Sequence, residues 1–294
     1  MPNGENYTVD EHYISRMYLR EFAEIRGFGH KEKAFIWQFN VHTMKQTPVQ
    51  VNVDSICFKK NLYELRNDDG TFIERNTIEM AFAGIESGVS KAIQSIKRRI
   101  QNEKCINCTT FLTDEEKSML TIFITALMYR DPYTIERGVS FLKEYNPEFT
   151  DVQARNFTLL NLLPLGRDTK WNQNTIIRTA ITNLSNMAFQ IGVTSDDVIF
   201  TSDRPFVEWY SHDDELSNRP KSLVFPLTSC MAVYMFRQED VDSMGWNYSF
   251  RLDEERIQDI QTKISVCARD WIYTREKLTD KQIELITTAR NRMK

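Results

Sequence analysis

The sequence has few of the features that would identify a function at once. No stretch approaches the ~20 consecutive apolar residues of a membrane helix. The longest apolar-rich stretch, "MLTIFITALMY" at 119–129, has the length of a core helix. The first residues, "MPNGENYTVDEHY", are polar and acidic and lack the apolar core of a secretory signal, so the expected compartment is the cytoplasm and no membrane partner is expected. Ten glycines and eight prolines in 294 residues leave little material for long flexible linkers. The five cysteines are odd in number and scattered, which suits a reducing compartment. Cys105 and Cys108 have the spacing of a metal knuckle, but there is no second Cys-x-x-Cys and no His-x-x-x-His to complete four ligands, so two thiols in a polar turn are expected there.

Nucleotide-binding and hydrolase signatures are missing as well. There is no Gly-rich phosphate loop, no Gly-x-Gly-x-x-Gly, no Gly-x-Ser-x-Gly, no kinase signature and no His-Glu-x-x-His, and no helix carries Arg followed at the right interval by His. These absences argue against nucleoside-triphosphate hydrolysis, dinucleotide redox chemistry and serine-hydrolase chemistry. A formal net charge of -4 disfavours non-specific coating of nucleic acid by the global field, while leaving room for a local basic patch.

What the chain does contain is the material for a large core: 41% hydrophobic residues, with 18 Phe, 11 Tyr and 5 Trp. Thr8-Val-Asp-Glu11 fits a capping box, and Ile14, Met17, Tyr18, Phe22 and Ile25 follow at helical spacing, predicting a first amphipathic helix. "KAFIWQFNV" and "VQVNVDSICF" alternate and predict strands. From Thr77 onward, Ile78, Phe82, Ile85, Val89, Ile93, Ile96 and Ile100 step by three or four along one long helix. Thr113-Asp-Glu-Glu116 caps a helix that is apolar nearly all round, ended by Asp131-Pro132. Helices are further predicted at 133–145, 150–163, 172–191, 253–275 and from Thr279 onward. Between them "DVIFTSDRPF" and "KSLVFPLTSCMAVYMF" predict strands, with Pro226 at an edge or bulge. The expected architecture is a single α+β domain over 1–294, mostly helical, with segments 34–66 and 197–236 joined in one small, largely antiparallel sheet. A core over 1–236 with a helical extension at 250–294 is the alternative.

The candidate chemistry lies in polar residues beside these apolar faces. Glu79 and Glu86 are seven residues apart, two turns along nearly one face of the long helix. They suit metal binding, proton sharing or an ion pair with arginine, structural pairing included. Arg130 ends the apolar helix. It is suited either to gripping a phosphate or to tying the helix end to a carboxylate, with Glu79, Glu86 and Asp203 as the expected partners. Asp203 follows a strand in "TSDRP", either as a site residue or as the centre of a turn, and Arg204 beside it is a phosphate-binding candidate. His12, with Arg16 and Arg20 at four-residue steps, is a candidate acid or base acting on a phosphodiester. His30, His42 and His212 form no metal-binding pattern.

Five stretches, taken in order, resemble a known family: "HYISRMYLREFA" (12–23), "NTIEMAFAGIES" (76–87), "FITALMYRDP" (123–132), "FTSDRPF" (200–206) and "FPLTS" (225–229). Together they are similar to the bacterial family called domain of unknown function 4238. In the first stretch the matching residues are His12, Tyr13, Tyr18, Leu19 and Phe22, and Ser15 stands where the family's signature has proline. The resemblance supplies candidate positions and implies no reaction.

Two functions of different class are therefore expected. One is a hydrolase of nucleic acid or nucleotide phosphodiesters, with His12, Glu79, Glu86 and Asp203 catalytic and Arg16, Arg130 and Arg204 holding substrate. A divalent Mg or Mn ion would be its cofactor, and an effector role in bacterial conflict or phage defence is the analogy. The other is a non-catalytic sensor or protein-interaction module, in which the same residues form a structural network. Its aromatic loops "EWYSHDDE" and "GWNYSF" would then meet a protein partner or a second copy of the chain.

Overall fold

The computed structural model describes residues 7–47, 49–73, 75–101, 105–161, 176–209 and 220–292. In chain order the elements are β1 (Asp10–His12), α1 (Arg16–Arg20), β2 (Glu24–Arg26), β3 (Lys33–Asn40), β4 (Lys45–Gln46), β5 (Val51–Asn52) and β6 (Phe58–Lys60). The helical middle follows: α2 (Thr77–Ile100), α3 (Asp114–Tyr129), α4 (Pro132–Tyr145), α5 (Asp151–Leu160) and α6 (Ile176–Ser185). The last part is β7 (Met187–Val193), β8 (Thr201–Ser202), β9 (Val207–Trp209), β10 (Ser222–Thr228), β11 (Met231–Arg237), β12 (Asn247–Arg251), α7 (Glu254–Cys267), β13 (Trp271–Thr274) and α8 (Asp280–Asn291). The fold is α+β with antiparallel sheets, β12 against β7 being a parallel pair.

The strands fall into three sheets among the described residues, where one was expected. β1 pairs with β6, five strands run in the order β12-β7-β11-β10-β9, and the third sheet runs β2-β3-β13-β8 with β4 and β5 also on β3. Segments 34–66 and 197–236 share a sheet only through β8, and β13 lies between β3 and β8. Strand β13 falls inside the expected 253–275 helix. Helix α7 stops at Cys267, and the backbone N–H groups of Arg269, Asp270 and Trp271 then turn to the Asp203 carboxylate. The aromatic and β-branched run "WIYT" continues as a strand.

Two other helices are shorter than expected. The predicted 172–191 helix holds from 176 to 185, after which "MAFQIGV" is a central strand, buried at every position except Gln190. A short apolar run of this kind fits a buried strand as well as a helix. Thr8–Glu11 does not cap a helix. Asp10–His12 pairs with Phe58–Lys60, Tyr13 N–H donates to the Cys57 carbonyl at 2.9 Å, and α1 begins only at Arg16. His12 and Arg16 are therefore not on one helix face.

The expected strand "VQVNVDSICF" is cut short by a 3-10 turn at Val53–Ser55, which leaves β5 and the start of β6, and "DVIFTSDRPF" forms only β8, while the following signals hold. The buried side of α2 carries Ile78, Phe82, Ile85, Val89, Ile93 and Ile96, as its spacing demands. Thr113 and Glu116 form both bonds of a capping box at the start of α3, Asp131 caps α4 with Pro132 in its first turn, and a register shift lies between Pro226 and Thr228. His212, most of "EWYSHDDE" and residues 172–175 lie outside the described residues.

One hydrophobic cluster runs through helices α1 to α8 and strands β3, β7, β10, β11 and β13. Helix α3 is central to it, with Leu120, Phe123, Ile124 and Leu127 essentially without solvent contact. Tyr18 of α1 locks the two larger sheets together. Its ring stacks on Phe225 at 5.2 Å, and its hydroxyl bonds the Pro226 carbonyl of β10 at 2.8 Å and the Thr201 hydroxyl of β8 at 2.7 Å. That arrangement places β1 beside the N-terminal half of α2 and the C-terminal end of α3.

Candidate functional site

Arg130 is the hub of the site. It is the C-cap of α3, only 1% exposed, and its ring-facing side lies over Phe82 at 4.4 Å. Its guanidinium donates to Glu86 Oε1 at 2.7 Å, to the His12 backbone carbonyl and, through Nε, to the Tyr63 hydroxyl at 3.4 Å. Tyr63 donates in turn to the Arg130 carbonyl at 2.8 Å. Burial works against the arginine's charge, but Tyr63, Glu86 and Glu79 outweigh it and hold the group firmly protonated. Arg130 thus meets Glu86, one of the three carboxylates expected for it, and each of its three nitrogens donates within the protein. The arrangement ties α3 to α2 and β1 and leaves no fork facing solvent for a phosphate.

Several buried side chains have spare hydrogen-bonding capacity. His12 Nε2, Glu79 Oε2, Glu11 Oε1 and Ser15 Oγ are buried and have no hydrogen-bond partner. His12 is 7% exposed and its ring lies 5.6 Å from Phe58. Burial, and then the charges of Arg16 and Arg130, lower its pKa, so the imidazole is neutral at pH 7. Glu79 moves the other way, raised chiefly by burial and by Glu86, against the pull of Arg130 and Arg16. His12 and Glu79 therefore share Arg16, Arg130 and Glu86 as charged neighbours. Arg16 is exposed at the edge of this group and pairs loosely with Asp54 at 3.5 Å.

Two carboxylates that adjoin the group, Glu11 and Glu64, were not singled out by the sequence. Glu11 is fully buried, and its Oε2 accepts the Tyr63 N–H at 2.7 Å. Burial raises its pKa to about 7, with Glu64 and Glu79 adding to the rise. Glu64 accepts the Asn76 N–H at the start of α2 and pairs with Arg75 at 3.5 Å. Ser15 precedes α1 but makes no cap bond. The β1–β6 pairing buries Glu11, and three residues of alternation are too short a signal to announce that pairing.

Asp203 and Arg204 do not join this group. Asp203 Oδ1 accepts the Arg269 N–H at 2.9 Å, and Oδ2 accepts those of Asp270 and Trp271 at 2.8 and 3.1 Å. Burial raises its pKa and these three bonds oppose the rise. It is the centre of the turn between α7 and β13, which corrects its assignment as a catalytic residue. Arg204 pairs with Glu208 at 3.8 Å and lies over Phe206 at 5.2 Å, which corrects its assignment to the same site.

Among the described residues no three His, Cys, Asp or Glu side chains converge closely enough to hold a metal ion. Glu86 is taken up by Arg130, and Glu79 lies two turns away along α2. Cys105 and Cys108 are free thiols, like the other three cysteines. No helix among the described residues is long and apolar enough to cross a membrane.

The fold and the buried polar group together define an α+β protein with a candidate acid–base centre at the junction of β1, α2 and α3. The chain belongs to the DUF4238 family of proteins of unknown function, whose model matches residues 11–278. That match spans β1 to the loop before α8 and includes the whole polar group. No curated protein and no solved structure matches the chain.

Proposed function

We propose that the protein is a phosphodiester hydrolase acting on a nucleotide or nucleic acid in the bacterial cytoplasm, by acid–base chemistry at His12 and Glu79. The observation that carries this reading is a pair of buried, unpartnered atoms, His12 Nε2 and Glu79 Oε2, on two side chains that share Arg130, Glu86 and Arg16 as charged neighbours. Structural networks pair nearly all their buried polar atoms. Two unpaired ones on side chains that share one buried guanidinium as a neighbour support a place where a further polar molecule binds. Neutral His12 is suited to accept a proton from water, and Glu79, with its raised pKa, is suited to donate one to a leaving oxygen. Arg16, at the exposed edge, is suited to meet the phosphate. Arg130 acts as a positioning residue through Glu86 and the His12 backbone.

The complete burial of Arg130 and Glu11 favours a second reading, a non-catalytic module whose polar network fixes the packing of helices on strands. The two readings separate in assays of single-stranded RNA, single-stranded DNA and mononucleotide phosphodiesters, with and without Mg²⁺ or Mn²⁺. Hydrolysis by the full chain that is lost in Glu79→Gln supports the first. No hydrolysis of any of these substrates, with His12→Ala and Glu79→Gln both lowering the thermal midpoint, supports the second.

A further inference from the structure

The five-stranded sheet has two unlike faces. On the inner face the cross-strand rows Leu223–Met235–Phe189 and Phe225–Val233–Ile191 are buried in the core. The outer face carries Tyr234 and Phe236 on β11 and Tyr248 and Phe250 on β12. Within each pair the rings are nearly parallel, 6.3 Å apart for the first and 6.4 Å for the second. Tyr234 and Phe250 meet at 5.6 Å across β7, where Gly192 pairs with Phe250 and its missing side chain makes room for the Tyr234 ring and Leu252 to pack over the strand. These rings line an open groove of about 890 Å³ whose other wall is the Arg256–Asp259–Lys263 face of α7.

Two observations point from this groove to a ligand. The Tyr234 hydroxyl is buried without a hydrogen-bond partner, in a side chain only 7% exposed that lines the groove. Arg256 also stands over the Phe250 ring at 5.1 Å, which puts a cation directly beside the aromatic surface. Arg256 pairs with Asp253 at 3.1 Å and Lys263 with Asp259 at 2.7 Å. Both are exposed pairs within one helix, of the kind a competing anion displaces at little cost. Flat rings for stacking, cations at the rim, and a hydroxyl and a carboxylate for polar groups are the chemistry of a base with its sugar phosphate.

We propose that this groove binds a nucleobase together with its attached phosphate, either in a free nucleotide or in single-stranded nucleic acid. The groove stands on residues separate from the hydrolytic centre proposed above and does not rest on that reading. The test is binding by the full chain of three probes: AMP, inorganic phosphate, and a fluorescein-labelled single-stranded RNA of roughly ten nucleotides, about the length one such groove contacts. AMP or the RNA binds, inorganic phosphate competes poorly, and Phe236→Ala weakens binding about tenfold or more, as loss of one stacked base requires. Tyr234→Phe, which keeps the ring and removes only the hydroxyl, weakens it several-fold, and Lys263→Ala lowers the salt dependence. RNA binding more than about tenfold tighter than AMP assigns a strand, and similar affinities assign a nucleotide. Glu79→Gln binds like the wild type, which keeps this test separate from the hydrolytic one. Absence of binding by both nucleotide probes at about millimolar concentration, equal competition by phosphate, or wild-type affinity in folded Phe236→Ala and Tyr234→Phe overturns the proposal.

Discussion

Replacing Arg130 with methionine removes the hub of the polar group while keeping a side chain of similar reach. Three bonds are lost: to Glu86 Oε1 at 2.7 Å, to the His12 carbonyl, and to the Tyr63 hydroxyl. So is the stacking of the guanidinium over Phe82 at 4.4 Å. Breaking a buried pair on one side costs roughly 3–5 kcal/mol, because the remaining charge stays buried and unpaired. Glu86 retains 23% exposure and escapes part of that penalty by reaching water. The His12 carbonyl has no such route, and an unsatisfied buried acceptor costs about 1–3 kcal/mol. The expected loss is therefore about 3–4 kcal/mol, a fall in thermal midpoint of roughly 5–6 °C for a chain of this size. Chemical denaturation of the wild type, Arg130→Met, Glu86→Gln and the double variant measures it. The double variant should be less destabilised than the sum of the singles by at least about 1 kcal/mol, because both singles break one contact. A loss below about 1 kcal/mol in Arg130→Met, or strict additivity in the double variant, refutes the assignment of Arg130 as the tie between α2, α3 and β1.

Two further outcomes follow from the same geometry. The folded-state pKa of Glu11, about 7, lies above its ordinary 4.5. The stability its protonated form contributes is fully present below 4.5 and is lost as pH rises through about 7. Glu11→Gln, which stays neutral, should gain on the wild type between pH 5 and pH 8 by up to about 3 kcal/mol, and a pH-independent difference in urea melts would contradict this. Asp203→Ala should cost roughly 2–4 kcal/mol, because three backbone donors lose a charged acceptor, and should speed amide exchange at residues 269–271. Unchanged exchange there would show that the carboxylate does not hold the turn.

The helical middle of the chain was legible because its signals are long and repeated. Ile78 to Ile96 buries as its spacing demands, and Thr113 with Glu116 forms both capping bonds. The strands were less legible where they are short or buried on both faces: β1 has three residues, β13 has four, and β7 lacks alternation. A hydrophobic pattern names a buried face but not the partner strand, so the division into three sheets depended on pairings remote in sequence, such as Ile272 with Phe39. The candidate site was half legible. Arg130 stood out as a charge closing an apolar helix, and its partner Glu86 as a carboxylate flanking an apolar stripe. Glu11 gave no such contrast, because only the pairing of β1 with β6 buries it. Asp203 fitted both a site and a turn equally well in sequence, and the three N–H groups it accepts come from residues 66 to 68 positions further on.

The acid–base assignment is tested most directly by the rate of phosphodiester hydrolysis in Glu79→Gln, measured beside its thermal midpoint. Glu79 Oε2 has no hydrogen-bond partner and the side chain is raised in pKa by burial, so an amide of the same shape removes the transferable proton and little packing. The account predicts kcat/KM lower by about 100-fold or more, the ordinary contribution of a positioned proton-transfer group, with a midpoint equal to or above that of the wild type. Hydrolysis at the wild-type rate in a folded Glu79→Gln protein would contradict it.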